Sequence, residues 1–184
     1  PRPKGVWVEK GGDIVIATPT LQITGGARID TTTATSSRGG NVTINTTNST
    51  SMSGENGGFP PDPLFSLGTI QSSGIFTRTI GGNCAGSCGN AGNVSINTGS
   101  LSMGAGSQIN SGTSSSGPGG TISINAGNTI LISGTLSSGQ PGGIQSNTIG
   151  TASDSGAGGN VAISAGQSVV ILDGASVSAS STGP

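Results

Sequence analysis

Along most of the chain, apolar residues stand in pairs with one residue between them, and each pair follows a Gly-Gly or Ala-Gly step. The pattern first reads Gly11-Gly12-Asp13-Ile14-Val15-Ile16, then Gly39-Gly40-Asn41-Val42-Thr43-Ile44. It returns as Ala91-Gly92-Asn93-Val94-Ser95-Ile96, Gly119-Gly120-Thr121-Ile122-Ser123-Ile124 and Gly158-Gly159-Asn160-Val161-Ala162-Ile163. Alternation at i and i+2 is the period of a strand with one buried face, not of a helix. Each run is short and bounded by Gly, Asn, Ser and Thr, which leaves no stretch for a helix of useful length. So small a hydrophobic pair makes no core by itself, and the repeats must stack.

With the second residue of each step as origin (12, 40, 92, 120 and 159), the intervals are 28, 52, 28 and 39 residues. Ile14, Ile16, Leu21, Ile23 and Ile29 align without a gap on Val94, Ile96, Leu101, Met103 and Ile109. The last repeat supplies Val161, Ile163, Val169, Ile171 and Val177, with one more residue in a turn. Three short strands per repeat, each with one inward face, predict one coil of an all-β parallel β-solenoid. Ile14, Val42, Val94, Ile122 and Val161 then form one interior column at about 4.8 Å per coil. Five residues past each origin, Ala17, Asn45, Asn97, Asn125 and Ser164 read as corners. Asn accepts a left-handed backbone, and stacked amides can bond along the axis. The Gly pairs are expected at other corners, for positive φ or close backbone approach.

The long repeats share a further element: Gly74-Ile75-Phe76-Thr77-Arg78-Thr79-Ile80-Gly81 matches Gly143-Ile144-Gln145-Ser146-Asn147-Thr148-Ile149-Gly150. The unit is a duplex whose long member adds a strand or a coil. Residues 1–184 thus read as a single domain of about five to seven coils, one strand spacing apart. Loop insertions are expected at about 55–68 and 82–90.

Composition sharpens the reading by exclusion. Gly is 36 of 184 residues, charged residues are 7%, aromatics 2%, and His and Tyr are absent. Such a profile ordinarily marks disorder, but the apolar spacing is regular. A net charge of −1 offers no footprint for nucleic acid. No apolar run approaches the ~20 residues of a membrane span, so the chain is not expected to cross one. With no recognisable signal peptide, a mature protein or an internal piece is expected. Neither end shows a polar cap, which predicts a fragment of a longer rod or a subunit that associates end to end.

Candidate chemistry is sparse. Cys84 and Cys88 sit in one Gly-rich loop and form either a small disulfide, suited to an oxidising compartment, or two free thiols. Two thiols without an imidazole fall short of a zinc site, and no metal or cofactor is expected. Glu9, Asp13, Asp30, Glu55, Asp62, Asp154 and Asp173 form no pair at shared repeat positions, and there is no His base. No catalysis is expected, a polysaccharide-acting enzyme being the alternative kept open. Thr31-Thr32-Thr33, Thr43, Ser95 and Ser123 are expected to face outward, where a stacked hydroxyl array would suit ice or a glycan. Against a dedicated array, the middle residue of the first strand varies: Val15, Thr43, Ser95, Ser123, Ala162. Phe59, Pro60, Pro61, Leu64 and Phe65 make an apolar insertion that either covers a coil near Leu131 or Val170 or serves as an interface. Trp7 reads as an end cap of the first coil or as a contact with another subunit.

The segments 39–45, 92–99 and 173–180, with Ser73-Gly74-Ile75-Phe76-Thr77-Arg78-Thr79 of the longer member, resemble the repeat region of filamentous haemagglutinin-like exoproteins. These are large bacterial adhesins exported by two-partner secretion, and the resemblance spans roughly residues 11–183. It implies a right-handed parallel β-helix, a secreted, extracellular or cell-surface location, and an adhesive or fibre-forming role with no catalytic residues. Its implied partner is a glycan or protein on a host or neighbouring cell. The opening Pro1-Arg2-Pro3-Lys4-Gly5-Val6-Trp7-Val8 does not match the family's secretion domain. The expectation is therefore an extracellular structural or adhesive rod, either a filament subunit or a repeat segment of a large adhesin.

Overall fold

The alternating pairs form strands, and the strands close into successive turns of chain. The structure, a computed structural model, describes residues 10–33, 37–57, 70–80, 89–114, 116–149 and 156–182. The first rung holds β1 (Ile14–Thr24) and β2 (Arg28–Asp30), and the second holds β3 (Val42–Ser53), β4 (Glu55–Gly57), β5 (Ile70–Ser72) and β6 (Gly74–Phe76). The third comprises β7 (Val94–Thr98), β8 (Ser100–Gly104) and β9 (Gln108–Asn110). Next come β10 (Thr121–Ala126), β11 (Thr129–Ser133), β12 (Gly143–Gln145) and β13 (Thr148–Ile149) in the fourth. The fifth has β14 (Asn160–Ala165), β15 (Ser168–Leu172), β16 (Ser176–Ser178) and β17 (Ser181–Thr182). No helix occurs among the described residues.

Each strand pairs in parallel with its equivalent one rung away. On the first face the register runs Ile14, Val42, Val94, Ile122, Val161. On the second it runs Leu21, Thr50, Leu101, Ile130, Val169, and on the third Ile29, Ile75, Ile109, Ile144, Val177. The architecture is all-β, parallel-stranded and solenoid-like. Because β1 and β3 run unbroken through the first corner, the first two faces form one eight-stranded sheet beside the five-stranded third. The inward side chains of all three meet in one core, where Ile44, Ile75, Ile96, Ile109, Ile130 and Ile144 are 0% exposed. Each such residue contributes about 1.5–3 kcal/mol through burial.

Val42 pairs directly with Val94, and Ile122 with Val161. The long repeats therefore supply one rung each, not two, and the described residues form five rungs. The added length leaves the wall. β4 and β5 pair antiparallel, Glu55 opposite Ser72, and the fourth rung makes an antiparallel bridge between Thr135 and Pro141. The remainder of both expected insertions lies largely outside the described residues.

Two expectations about corners change. The left-handed backbone falls not at Asn45, Asn97 or Asn125, which lie in strands, but between the second and third faces. There Ala105 has φ 46° before Gly106 at 73°, and Asp173 has φ 53° before Gly174 at 78°. The second residue of each Gly-Gly or Ala-Gly step serves close approach instead. A Cβ on Gly40, Gly92, Gly120 or Gly159 would overlap the carbonyl oxygen of the equivalent glycine one rung back. These residues form an axial column in which backbones touch and no side chain fits. The preceding position is less strict, since Ala91 occupies it at 1% exposure.

Beyond the third face the chain makes one more parallel contact per rung, through Thr33, Thr79, Thr113 and Thr148. Thr79 and Thr148 are 0% exposed. Each of the four hydroxyls donates across the connection to the next rung, to the carbonyls of Ser37, Asn90, Gly117 and Ala157 respectively, at 2.6–3.0 Å. Two residues earlier, Thr31, Thr77, Ser111 and Ser146 are also buried and donate to glycine-column carbonyls: Thr31 to Gly40, Thr77 and Ser111 to Gly92, Ser146 to Gly120. Thr31 and Thr33 were expected to face solvent. They turn inward because the glycine corner brings carbonyls past them, and a buried carbonyl needs a donor. Of the same set, Ser123 is exposed, Thr43 and Ser95 are half-buried, and the Thr32 hydroxyl is buried without a partner.

Candidate functional site

Three surfaces of the described residues stand out, and none is a cluster of catalytic groups. The first is the last rung. Val161 and Ile163 continue the first-face columns but are only half-buried, and Val169 and Ile171 are 44% and 46% exposed. Their equivalents Ile130 and Ile132, one rung inward, are 0% exposed. The side chains are alike; what differs is a covering rung. On the outer wall Leu131, Val170 and Leu172 are also exposed, at 38–41%.

The second surface is a groove of about 740 Å³ along the corner between the first two faces, lined in part by Ala17, Asn45, Asn97, Asn125 and Gly99. Ala17, Asn45, Asn97, Asn125 and Ser164 stand in register one rung apart. The Asn97 amide Nδ2 donates to Asn45 Oδ1 at 3.0 Å. The amides thus form part of an axial ladder without the left-handed backbone. Beneath it lies a polar intrusion into the core: Thr50 takes an otherwise aliphatic column position at 0% exposure. Its hydroxyl is 3.0 Å from that of Thr46, which donates to Thr98 at 2.6 Å.

The third surface lies on the outside of the third face. Phe76 points outward yet is 2% exposed, because the Arg28 guanidinium lies 3.6 Å from its ring centroid and that of Arg78 5.1 Å from it. Stacking of guanidinium on an aromatic face is favourable, the more so when desolvated. Among the described residues the carboxylate paired with this cluster is Asp30, 3.6 Å from Arg28 Nη2. Burial, and then the neighbouring Arg78 charge, push Arg28 down to about 10, against the pull of Asp30. Burial likewise lowers Arg78. Arg78 Nε and Nη2 and Arg28 Nε are buried with no hydrogen-bond partner. Arg78 borders a second groove, of about 400 Å³, shared with Asn110, Gly112, Gln145 and Asn147.

The acidic residues among those described do not converge. Asp13 accepts from Lys10 Nζ at 2.6 Å and from Asn41 N at 2.8 Å, and both contacts, Lys10 first, hold its carboxyl below the usual range. Asp30 Oδ1 accepts from Thr32 N, and Glu55 accepts from Ser137 N. Among the described residues no group of three or more His, Cys, Asp or Glu could hold a metal ion. Among the described residues no helix is long and apolar enough to cross a membrane.

Of the residues singled out in the sequence, Ile14, Val42, Val94, Ile122 and Val161 are successive register partners. Trp7, Cys84, Cys88 and the insertion residues Phe59, Pro60, Pro61, Leu64 and Phe65 lie outside the described residues. Sequence reading missed the buried Ser/Thr-x-Thr columns and the Arg28, Phe76, Arg78 stack. The recurrence of Thr31-Thr32-Thr33, Thr77-Arg78-Thr79, Ser111-Gly112-Thr113 and Ser146-Asn147-Thr148 carried the signal for the columns. No local pattern announces the stack.

What fold and surface define is a parallel, solenoid-like repeat chain with apolar side chains exposed on its last described rung and polar side grooves. No protein-family model matches the chain, and no curated protein or solved structure matches it.

Proposed function

We propose that this chain is a segment of an extracellular structural or adhesive rod, a right-handed parallel β-helix of the filamentous haemagglutinin-like kind, lengthened by end-to-end association. The observation that carries the reading is the last rung. Val169 and Ile171 occupy interior columns yet are 44% and 46% exposed, and β14, β15 and β16 each have a paired strand on one side only. An unpaired apolar strand edge is a template for another strand. A further rung of the same kind would place aliphatic side chains on Val161, Ile163, Val169, Ile171 and Val177 and extend the ladders already present. The rod would act mechanically, through axial hydrogen bonding, and would carry surface contacts on its corners. The reading includes no catalytic step and no cofactor, and it places the protein outside the cell.

Electron microscopy and sedimentation across a concentration series test it. Wild type is expected to form lengthwise filaments, and Ile171→Lys to remain dispersed with its β circular dichroism retained. Dispersed single particles of wild type at every concentration would overturn end-to-end association. A second reading, a regular-surface glycan binder, is favoured by the in-register Asn45, Asn97 and Asn125 amides along the axial groove. Retention on neutral polysaccharide that Asn97→Ala abolishes would support it.

A further inference from the structure

The groove beside Arg78 goes beyond the rod reading, since it lies on the side of the molecule and its chemistry is independent of stacking. Its shape follows from one outward position of the wall. Arg78, Gly112 and Asn147 occupy that position on successive rungs, each next to its clamped threonine: Thr79, Thr113 and Thr148. A Cβ on Gly112 would overlap the Asn147 carbonyl oxygen, so no side chain stands between Arg78 and Asn147, and Gly112 lines the cleft between them. From Arg78 to Asn147 is two strand spacings, about 9.6 Å, which admits one sugar ring. Asn110 and Gln145, register partners on the neighbouring outward column, form the flank.

The two asparagines of the groove present donors. Asn110 uses its carbonyl oxygen to accept from Gly112 N. Asn147 uses its own to accept from Ser180 N and from the Ser178 and Ser180 hydroxyls. Among the described residues neither amide Nδ2 carries a hydrogen bond, so the NH2 ends remain. At the other end of the groove, one rung before Asn110, stands the half-buried Arg78 guanidinium, two of whose nitrogens carry no hydrogen bond. It shares one nearby carboxylate, Asp30, with the second cation Arg28. A cluster of donors around an under-compensated cation calls for an acceptor-rich anion. Guanidinium pairs with carboxylate in a planar, two-point fashion that amide donors can supplement. A peptide backbone brings one N–H for every carbonyl and matches such a groove poorly. Sugar ring and hydroxyl oxygens match it well.

We propose that the groove between Arg78 and Asn147, lined by Gly112, binds the carboxylate of an acidic sugar within a glycan chain. The test is isothermal titration of the whole chain with tetragalacturonate, galacturonate monomer, a neutral tetrasaccharide and polyglutamate. Expected is binding of tetragalacturonate that weakens with salt and exceeds the neutral sugar, with the monomer competing weakly. Arg78→Gln should weaken it by at least about tenfold, the loss of one charge-assisted pair. Ser114→Trp, which fills the groove from its exposed rim while keeping the charge, should do the same. Arg38→Gln, which removes an equal charge elsewhere, should leave it unchanged. Equal binding of neutral and acidic sugars would overturn the proposal, as would equal losses in Arg78→Gln and Arg38→Gln. Tighter binding of polyglutamate than of tetragalacturonate would replace the glycan with an acidic protein ligand. Melting curves of each variant separate loss of the site from loss of the fold. Filament formation, measured beside them, reports independently on end-to-end association.

Discussion

The third and fifth rungs carry nearly the same inward side chains and differ in what lies on them. Val94, Ile96, Leu101, Met103 and Ile109 are at most 1% exposed, with a rung on either side. Val161, Ile163, Val169, Ile171 and Val177 hold the same columns and are half-buried or exposed. Membership of a column is therefore local, while the stabilisation drawn from it is borrowed from the neighbouring rung. This is the behaviour of a one-dimensional repeat, whose stability lies largely in its interfaces.

Five substitutions would break or sharpen that comparison. The largest effect is expected at Gly92, where any Cβ overlaps the Gly40 carbonyl oxygen. Gly92→Val should cost about 4 kcal/mol or prevent folding, because two backbones rather than a mobile side chain must move. Urea unfolding by circular dichroism measures this, and a near-wild-type midpoint would remove the packed glycine column. Next, Ile96→Ala should cost about 3 kcal/mol, and Ile171→Ala only about 1 in dispersed protein, since the exposed side chain has less burial to lose. Equal losses would mean that the last rung is covered after all.

Thr148→Val should cost about 1–2 kcal/mol at nearly constant volume, because the Ala157 carbonyl loses one of its two donors and Gly119 N and the Thr113 hydroxyl lose an acceptor. If the variant unfolds like wild type, the hydroxyl clamp across the connection is not structural. The smallest effect concerns Asp13, whose carboxyl is held below the usual carboxylate range by Lys10 and then by Asn41 N. A depressed native value means the unfolded state takes up the proton first as pH falls. The contribution is present above pH about 4 and lost below it. Asp13→Asn should flatten the acid side of the stability profile between pH 5 and 2, a change readable in thermal midpoints and small because the pair is exposed.

The periodicity was enough to place residues in columns. Two-residue alternation, restarted by each Gly-Gly step, assigns Ile14, Val42, Val94, Ile122 and Val161 equivalent places in successive repeats without reference to anything distant. The rung count needed the structure, because repeat length does not show whether 52 residues make two turns of the wall or one turn with an excursion. The Asn corners misled for a related reason. Asn97 can adopt a left-handed backbone, but the positive φ falls where the chain turns hardest, at Ala105 and Gly106.

By itself the amino-acid sequence determined the strand period, the phase of each repeat and the aliphatic identity of the columns, since these depend on neighbours two residues apart. Tertiary structure decided which hydroxyls turn inward and that Arg28 and Arg78 share Phe76. Thr77 reaches a carbonyl 15 residues away, and Arg28 meets a ring on the next rung. Contacts between rungs form only once the chain has come round, and no local pattern records which groups then meet.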